Sequence, residues 1–218
     1  MSSKISALSA AHCDLFDRPC FQFAQLRRYQ PEAIDTIKAE YKVAWQDWRA
    51  LIQAVSLQLG EDFAEPHIER WCNGWQVRAH FFAFFKYQFC QSSAPIFSLL
   101  LNRRRLTVSL DWHVYRAKSS ILPLSAYRQW QMLLAQGDWD DFELWKNDDS
   151  EYADYLRVAE YRQAFPNVLQ DGFTDENSYF RIGKHLAREV LADKEVQAFI
   201  VETIEALRPL YEACFLSN

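Results

Sequence analysis

Residues 78–120 read RAHFFAFFKYQFCQSSAPIFSLLLNRRRLTVSLDWHVYRAKSS, and the way this stretch folds decides the architecture of the chain. Its last third alternates strictly: Leu106, Val108, Leu110, Trp112 and Val114 fall on one side of a strand, and Thr107, Ser109, Asp111, His113 and Tyr115 on the other. The expectation is a core face and a wet, chemically equipped face. Upstream, residues 96–101 form a continuous apolar run, and Asn102 with Arg103, Arg104 and Arg105 supplies a hairpin turn between the two strands. The aromatic-rich segment 79–89 suits a third, half-buried strand. Three neighbouring antiparallel strands follow.

On the N-terminal side, Pro31 suits a first helical position. Ile34, Ile37, Tyr41, Trp45, Trp48, Ile52, Val55 and Leu59 then recur at three- and four-residue steps until Gly60, a natural helix stop. Both tryptophans read as core. Residues 61–74 read as a connection with a short helix around 68–71. On the C-terminal side, Ser125 caps a short helix carrying Tyr127, Trp130, Leu133 and Leu134, which Gly137 ends. Residues 142–146 alternate like an edge strand, 152–165 fit either a helix or a strand with the lean toward helix, 166–177 read as a loop and 178–182 as a strand. Gly183 follows as a site for an unusual backbone angle. Asp193 caps a last helix that Pro209 should stop. With no internal repeat or linker, residues 1–218 read as one α+β domain: a central antiparallel sheet with long N-terminal and C-terminal helices packed on it.

Composition is globular, at 50% hydrophobic and 16% aromatic residues. Five widely spaced cysteines in a chain this long read as reduced thiols. The N-terminus lacks a sustained apolar run, and no stretch approaches a membrane span, so a soluble, cytoplasmic protein without a membrane partner is expected. The net charge of −5 conceals segregation. Residues 76–130 carry eight Lys/Arg against the single acid Asp111, whereas residues 131–176 carry twelve Asp/Glu against Lys146, Arg157 and Arg162.

These residues point to three readings of function. In the leading one, the basic strand face, with Lys86, Arg103, Arg105, Ser109, Tyr115 and Arg116, binds an anionic ligand, either nucleic acid or a phosphorylated small molecule. In the second, the protein is an enzyme of hydrolase or phosphate-handling type. Asp111 and His113, two residues apart and so about 6.6–7 Å along one face, would be its acid/base pair, with Arg105 or Arg116 as the anion clamp. In the third, the acidic segment 138–154 docks a basic partner or a second copy of the chain, giving a homo-oligomer. The residues do not decide between enzyme and binding protein. No metal is expected, because His12, Cys13 and Cys20 are scattered and His67, His80, His113 and His185 show no i, i+4 pairing. No cofactor is expected either. Gly60, Gly74, Gly137, Gly172 and Gly183 are too far apart for a P-loop, a nucleophile elbow or a dinucleotide fingerprint.

The segments FDRPCFQFAQL (16–26), HFFAFFKYQ (80–88), LTVSLDWHVYRA (106–117), SYFRIGKH (178–185) and LRPLYEAC (207–214) together resemble an uncharacterised family of bacterial cytosolic proteins. That family has sometimes carried the label glucose-6-phosphate dehydrogenase. The resemblance implies no particular catalytic residues. The label also conflicts with the residues, since without a glycine-rich βα turn there is no seat for a nicotinamide pyrophosphate.

Overall fold

Apolar residues at Ile37, Tyr41, Ala44, Trp48, Leu51, Ile52, Val55 and Leu59 give residues 34–59 one continuous buried stripe, and they form a single α-helix, Ile34–Leu59. A 3-10 turn at Pro31–Ala33 leads into it. Gly60 ends it at φ 85°, where a side chain would be strained, and its N–H still donates to Ser56 O at 3.2 Å. Trp48 is fully buried as expected, whereas Trp45 is only half-buried, at the margin of the stripe. The computed structural model describes residues 8–165 and 175–216; the loop expected at 166–177 lies, up to residue 174, outside them.

The fold is α+β, built on a seven-stranded antiparallel sheet. Its strands are β1 (His67–Ile68), β2 (Phe81–Phe85), β3 (Pro95–Leu101), β4 (Arg105–Trp112), β5 (Glu143–Lys146), β6 (Leu156–Arg157) and β7 (Phe180–Ala187). They lie in the order β1-β2-β3-β4-β7-β5-β6. The three strands expected within residues 78–120 are thus neighbours. Their hairpin is closed by Asn102, whose N–H donates to Arg105 O at 3.0 Å while its side-chain oxygen accepts from the N–H groups of Arg104 and Arg105.

Several expectations are corrected. The expected helix at 68–71 is instead the end of β1 and the first arm of a hairpin, because Pro66 and Asn73-Gly74 punctuate the segment as strand and turn. Strand β5 is not an edge: it pairs with both β6 and β7. The helix read over 152–165 is confined to Val158–Ala164, after β6. The last helix, Val196–Ala213, runs through Pro209. Leu207, Leu210 and Tyr211 are all fully buried, so continued burial of the apolar stripe outweighs the one backbone bond that proline forfeits.

The wet face of β4 does not exist. The strand lies between β3 and β7, and both of its sides are covered: Leu106, Val108 and Leu110 at 0% exposure, Thr107 at 8% and Ser109 at 2%. Gly183 lies against this second side for lack of volume, not for an unusual angle, since its φ is not positive. A Cβ there would fall 2.2 Å from Val108 O and 2.7 Å from Ser109 Cβ. Backbone cannot yield as a side chain does. Gly183→Ala is therefore expected to cost about 3 kcal/mol or more, the upper range for overpacking, as a lowered midpoint in urea unfolding. A midpoint within error of the parent would contradict the close approach of the two strands.

The chain divides into two compact units, one formed by residues 1–85, 99–107 and 185–201, the other by residues 86–98, 108–184 and 202–218. In the first, Phe81 receives Phe16 edge-on at 5.0 Å and Trp48 at 6.4 Å, which packs the long helix on β2. In the second, the Tyr127 hydroxyl donates to Phe180 O at 2.8 Å and lies 3.3 Å from Leu110 O, tying β7 to β4, while Tyr211 of the C-terminal helix packs on Phe97 at 4.4 Å. No described helix is long and apolar enough to cross a membrane.

Candidate functional site

Burial places the residues singled out in the strand face as follows. Ser109 is sealed, its Oγ 2.8 Å from Ser98 Oγ. Asp111 accepts from Arg181 Nε at 2.8 Å and from the Trp112 N–H at 2.7 Å. Beyond Trp112 the strand gives way to a short helical turn, Val114–Ala117, so the alternation stops at His113. The His113 N–H donates to Ala94 O at 2.9 Å. Tyr115, at 88% exposure, and Arg116 lie on the turn in solvent. Lys86 is buried, with Nζ donating to Gln91 O at 3.1 Å and to Ser93 O, and burial lowers its pKa. Arg105 is buried at 3%, and Arg103 pairs with Asp17 at 3.8 Å. None of this row lines the grooves found along the long helix. Within the acidic segment, Asp140 and Asp141 pair with the nearby Arg162 and Arg157.

The stronger candidate lies in the first unit, along the long helix. Residues 71–78 form a hairpin: Arg78 N–H donates to Trp71 O at 2.9 Å, Cys72 bridges Val77, and Asn73 N–H donates to Gln76 O at 3.2 Å. Its two-residue loop is Gly74-Trp75. Gly74 takes φ 87°, and Asn73 Oδ1 accepts from the N–H groups of Trp75 and Gln76, both at 3.1 Å. On its other side, the hairpin pairs with residues 21–23 through Phe23 N–H to Trp75 O at 2.9 Å and Val77 N–H to Phe21 O at 3.1 Å. The tip is thereby held rigidly, with Trp75 at 82% exposure.

Between this hairpin, β1 and the helix runs an open groove with two lobes. One, of about 620 Å³, is lined by Trp45, Arg70, Trp71, Cys72, Asn73 and Gly74. The other, of about 570 Å³, is lined by Trp45, Arg49, Gln53, Ser56, Leu57, Glu65, Pro66, Ile68 and Arg70. Trp45 and Arg70 belong to both. Trp45 is fixed by its indole N–H, which donates to Glu69 O at 2.7 Å. Arg49 lies over the Trp45 ring at 5.8 Å and Lys42 over Trp71 at 5.9 Å, so two cations edge the aromatic floor. Most arginines near carboxylates are committed: Arg78 to Glu69, Arg181 to Asp111, Arg188 to Asp14, Arg208 to Glu205. Arg49 and Arg70 have no carboxylate partner among the described residues, and Glu65 is the one acid lining either lobe. Chemically this is a cationic, aromatic trough.

A further groove, of about 600 Å³, lies where the helix Ala10–Asp14 meets the long helix. Its histidine is a clamp. His12 Nε2 sits 3.3 Å from Asp47 Oδ2, and Nδ1 accepts the Ser9 N–H at 3.1 Å, so both ring nitrogens are engaged. Among the described residues no group of three His, Cys, Asp or Glu side chains is placed to hold a metal ion.

Sequence reasoning missed the trough because it assigned Trp45 to the core and residues 68–71 to a helix. The available signal was the turn dipeptide Asn73-Gly74, set between Trp71 and Trp75. A protein-family model matches residues 8–214. An uncharacterised protein of Haemophilus influenzae is 48% identical over 208 residues, covering 95% of this chain and 98% of the relative. Neither match supports a dehydrogenase. Since the matches run from the first described helix to the end of the last, the chain belongs to this uncharacterised bacterial protein family.

Proposed function

We propose that the protein binds a phosphate-bearing anionic ligand in the tryptophan trough of its first unit. The observation that carries this reading is that Arg49 and Arg70 line a trough floored by Trp45 and Trp71, with Lys42 over the Trp71 ring, and that no ion pair to a carboxylate holds any of the three among the described residues. Guanidinium groups supply forked donors to phosphate, and each charge-assisted bond contributes about 1.5–3 kcal/mol. The basic residues of the strand-face reading do not line this trough: Lys86 and Arg105 are buried, Arg103 is paired, and Arg116 stands exposed on the turn after β4.

Indole fluorescence tests the reading, because Trp45 and Trp71 line the trough. Titration with inorganic pyrophosphate and with a short single-stranded oligonucleotide at low salt is expected to change emission saturably. Arg70→Ala should weaken binding at least tenfold without moving the melting temperature, since Arg70 is exposed. No saturable response to either probe at low salt would remove the proposal.

A further inference from the structure

We infer that the ligand of the trough is a mononucleotide, with its heterocycle in the tryptophan lobe and its phosphate where the two lobes meet; this rests on the anion-binding reading above. The lobes differ in chemistry. The one under the hairpin is lined by Trp45 and Trp71, side chains of the type on which a flat heterocycle stacks, and such a contact is sequence-tolerant because every base has a π face. It also presents Asn73. That side chain's oxygen is consumed by the turn, accepting from Trp75 and Gln76, so its amide NH₂ is the group left to meet a ring acceptor. Gly74 has nothing within 4 Å of where a Cβ would stand, which leaves the loop backbone open to close approach.

The second lobe is the more polar of the two, with Arg49, Gln53 and Ser56 along the helix and Glu65 as its one acid, and Arg70 stands at the junction with Trp45. Ring and phosphate sites are therefore adjacent and share two residues. A polymer is disfavoured by charge. The first unit contains fourteen Lys/Arg against thirteen Asp/Glu, and the whole chain is at −5, so no broad positive field exists to hold a run of phosphates. One ring with one or two phosphates matches the three local cations.

The test compares UMP and AMP with uridine, adenosine, inorganic pyrophosphate and oligo(dT) by calorimetry at low salt, using the full chain. A nucleoside monophosphate is expected to bind at least tenfold more tightly than its nucleoside and than pyrophosphate. Arg70→Ala should bring the nucleotide down to the nucleoside's affinity. Trp71→Phe, which keeps a ring against Tyr41, should weaken nucleotide binding by a larger factor than pyrophosphate binding. If pyrophosphate binds as well as the nucleotides, ring recognition is wrong and the anion reading stands. Tenfold tighter binding of oligo(dT) than of either mononucleotide overturns the inference in favour of a polymer. If none of the probes binds, both readings fail.

Discussion

Asp111→Ala is expected to lower the free energy of unfolding by about 2–3 kcal/mol, and the double variant Asp111→Ala/Arg181→Met to recover most of the loss. Breaking a fully buried ion pair from one side costs about 3–5 kcal/mol, because a charge is left without compensation. Here the side chains of Asp111 and Arg181 are 15% and 24% exposed, so water offsets part of that cost. Burial works to lower the Arg181 pKa, and Asp111, assisted by Tyr179, more than reverses it, so the guanidinium stays charged. Without Asp111 that charge retains Tyr179, whose ring lies 5.8 Å away and whose side chain also hydrogen-bonds to it. Urea unfolding of the two single variants and the double variant closes a cycle that isolates the pair. A solvent-facing acid/base residue would behave otherwise, losing an activity at unchanged stability. An Asp111→Ala variant within 0.5 kcal/mol of the parent, inside the usual range for surface substitutions, would remove Asp111 from the framework and return it to the list of candidate catalytic groups.

Residues 106–114 show where sequence patterns stop being informative. Alternation in residues 106–114 located the strand correctly, since a period of two is set by the backbone. It could not say what covers the second side. Thr107 and Ser109 are small enough to be buried under a neighbour, and Ser109 finds its partner in Ser98, eleven residues away across a hairpin. Polar residues signal solvent only when no partner is available inside, and partners are a property of the fold. The long helix was legible because its stripe and both punctuating residues, Pro31 and Gly60, act locally. Pro209 was over-read for the converse reason: its local cost is fixed, while the burial of Leu210 and Tyr211 that outweighs it is tertiary. The trough combined both difficulties. Its hairpin was locally signalled by Asn73-Gly74, but its pairing with residues 21–23 and its approach to Trp45 depend on contacts that no window of sequence contains.

The aromatic core makes the protein sensitive to alkali, and cooperative unfolding is expected between about pH 10 and 11. Tyr41, Tyr127 and Tyr211 are at 0% exposure and Tyr179 at 2%. Burial raises all four phenol pKa values above 10.0, that of Tyr179 to about 12, with Asp111 raising Tyr127 and Tyr179 further. Burial likewise pushes the Cys13 thiol from 9.0 up to about 12 and raises Cys214. In each case the folded chain keeps a proton that the unfolded chain releases. Stability is thus whole below pH 9 and drains as pH rises through the thiol and then the phenol values, by about 1.4 kcal/mol per pH unit for each group. At pH 11 the four phenols alone account for about 5–6 kcal/mol, a large part of the 5–15 kcal/mol typical of a folded chain. Lys86 opposes this: its lowered pKa means that the folded state gains relative stability as pH rises toward 10.5, but it is one group against six. Phenolate absorbance in the near ultraviolet should therefore rise in step with the loss of native tryptophan emission. Were the buried phenols instead to titrate reversibly near pH 10 with the emission unchanged, Tyr127 and Tyr211 could not be sealed between sheet and helix. In that case the bonds from Tyr127 to Phe180 and Leu110, which join the two central strands, would have to be open to water.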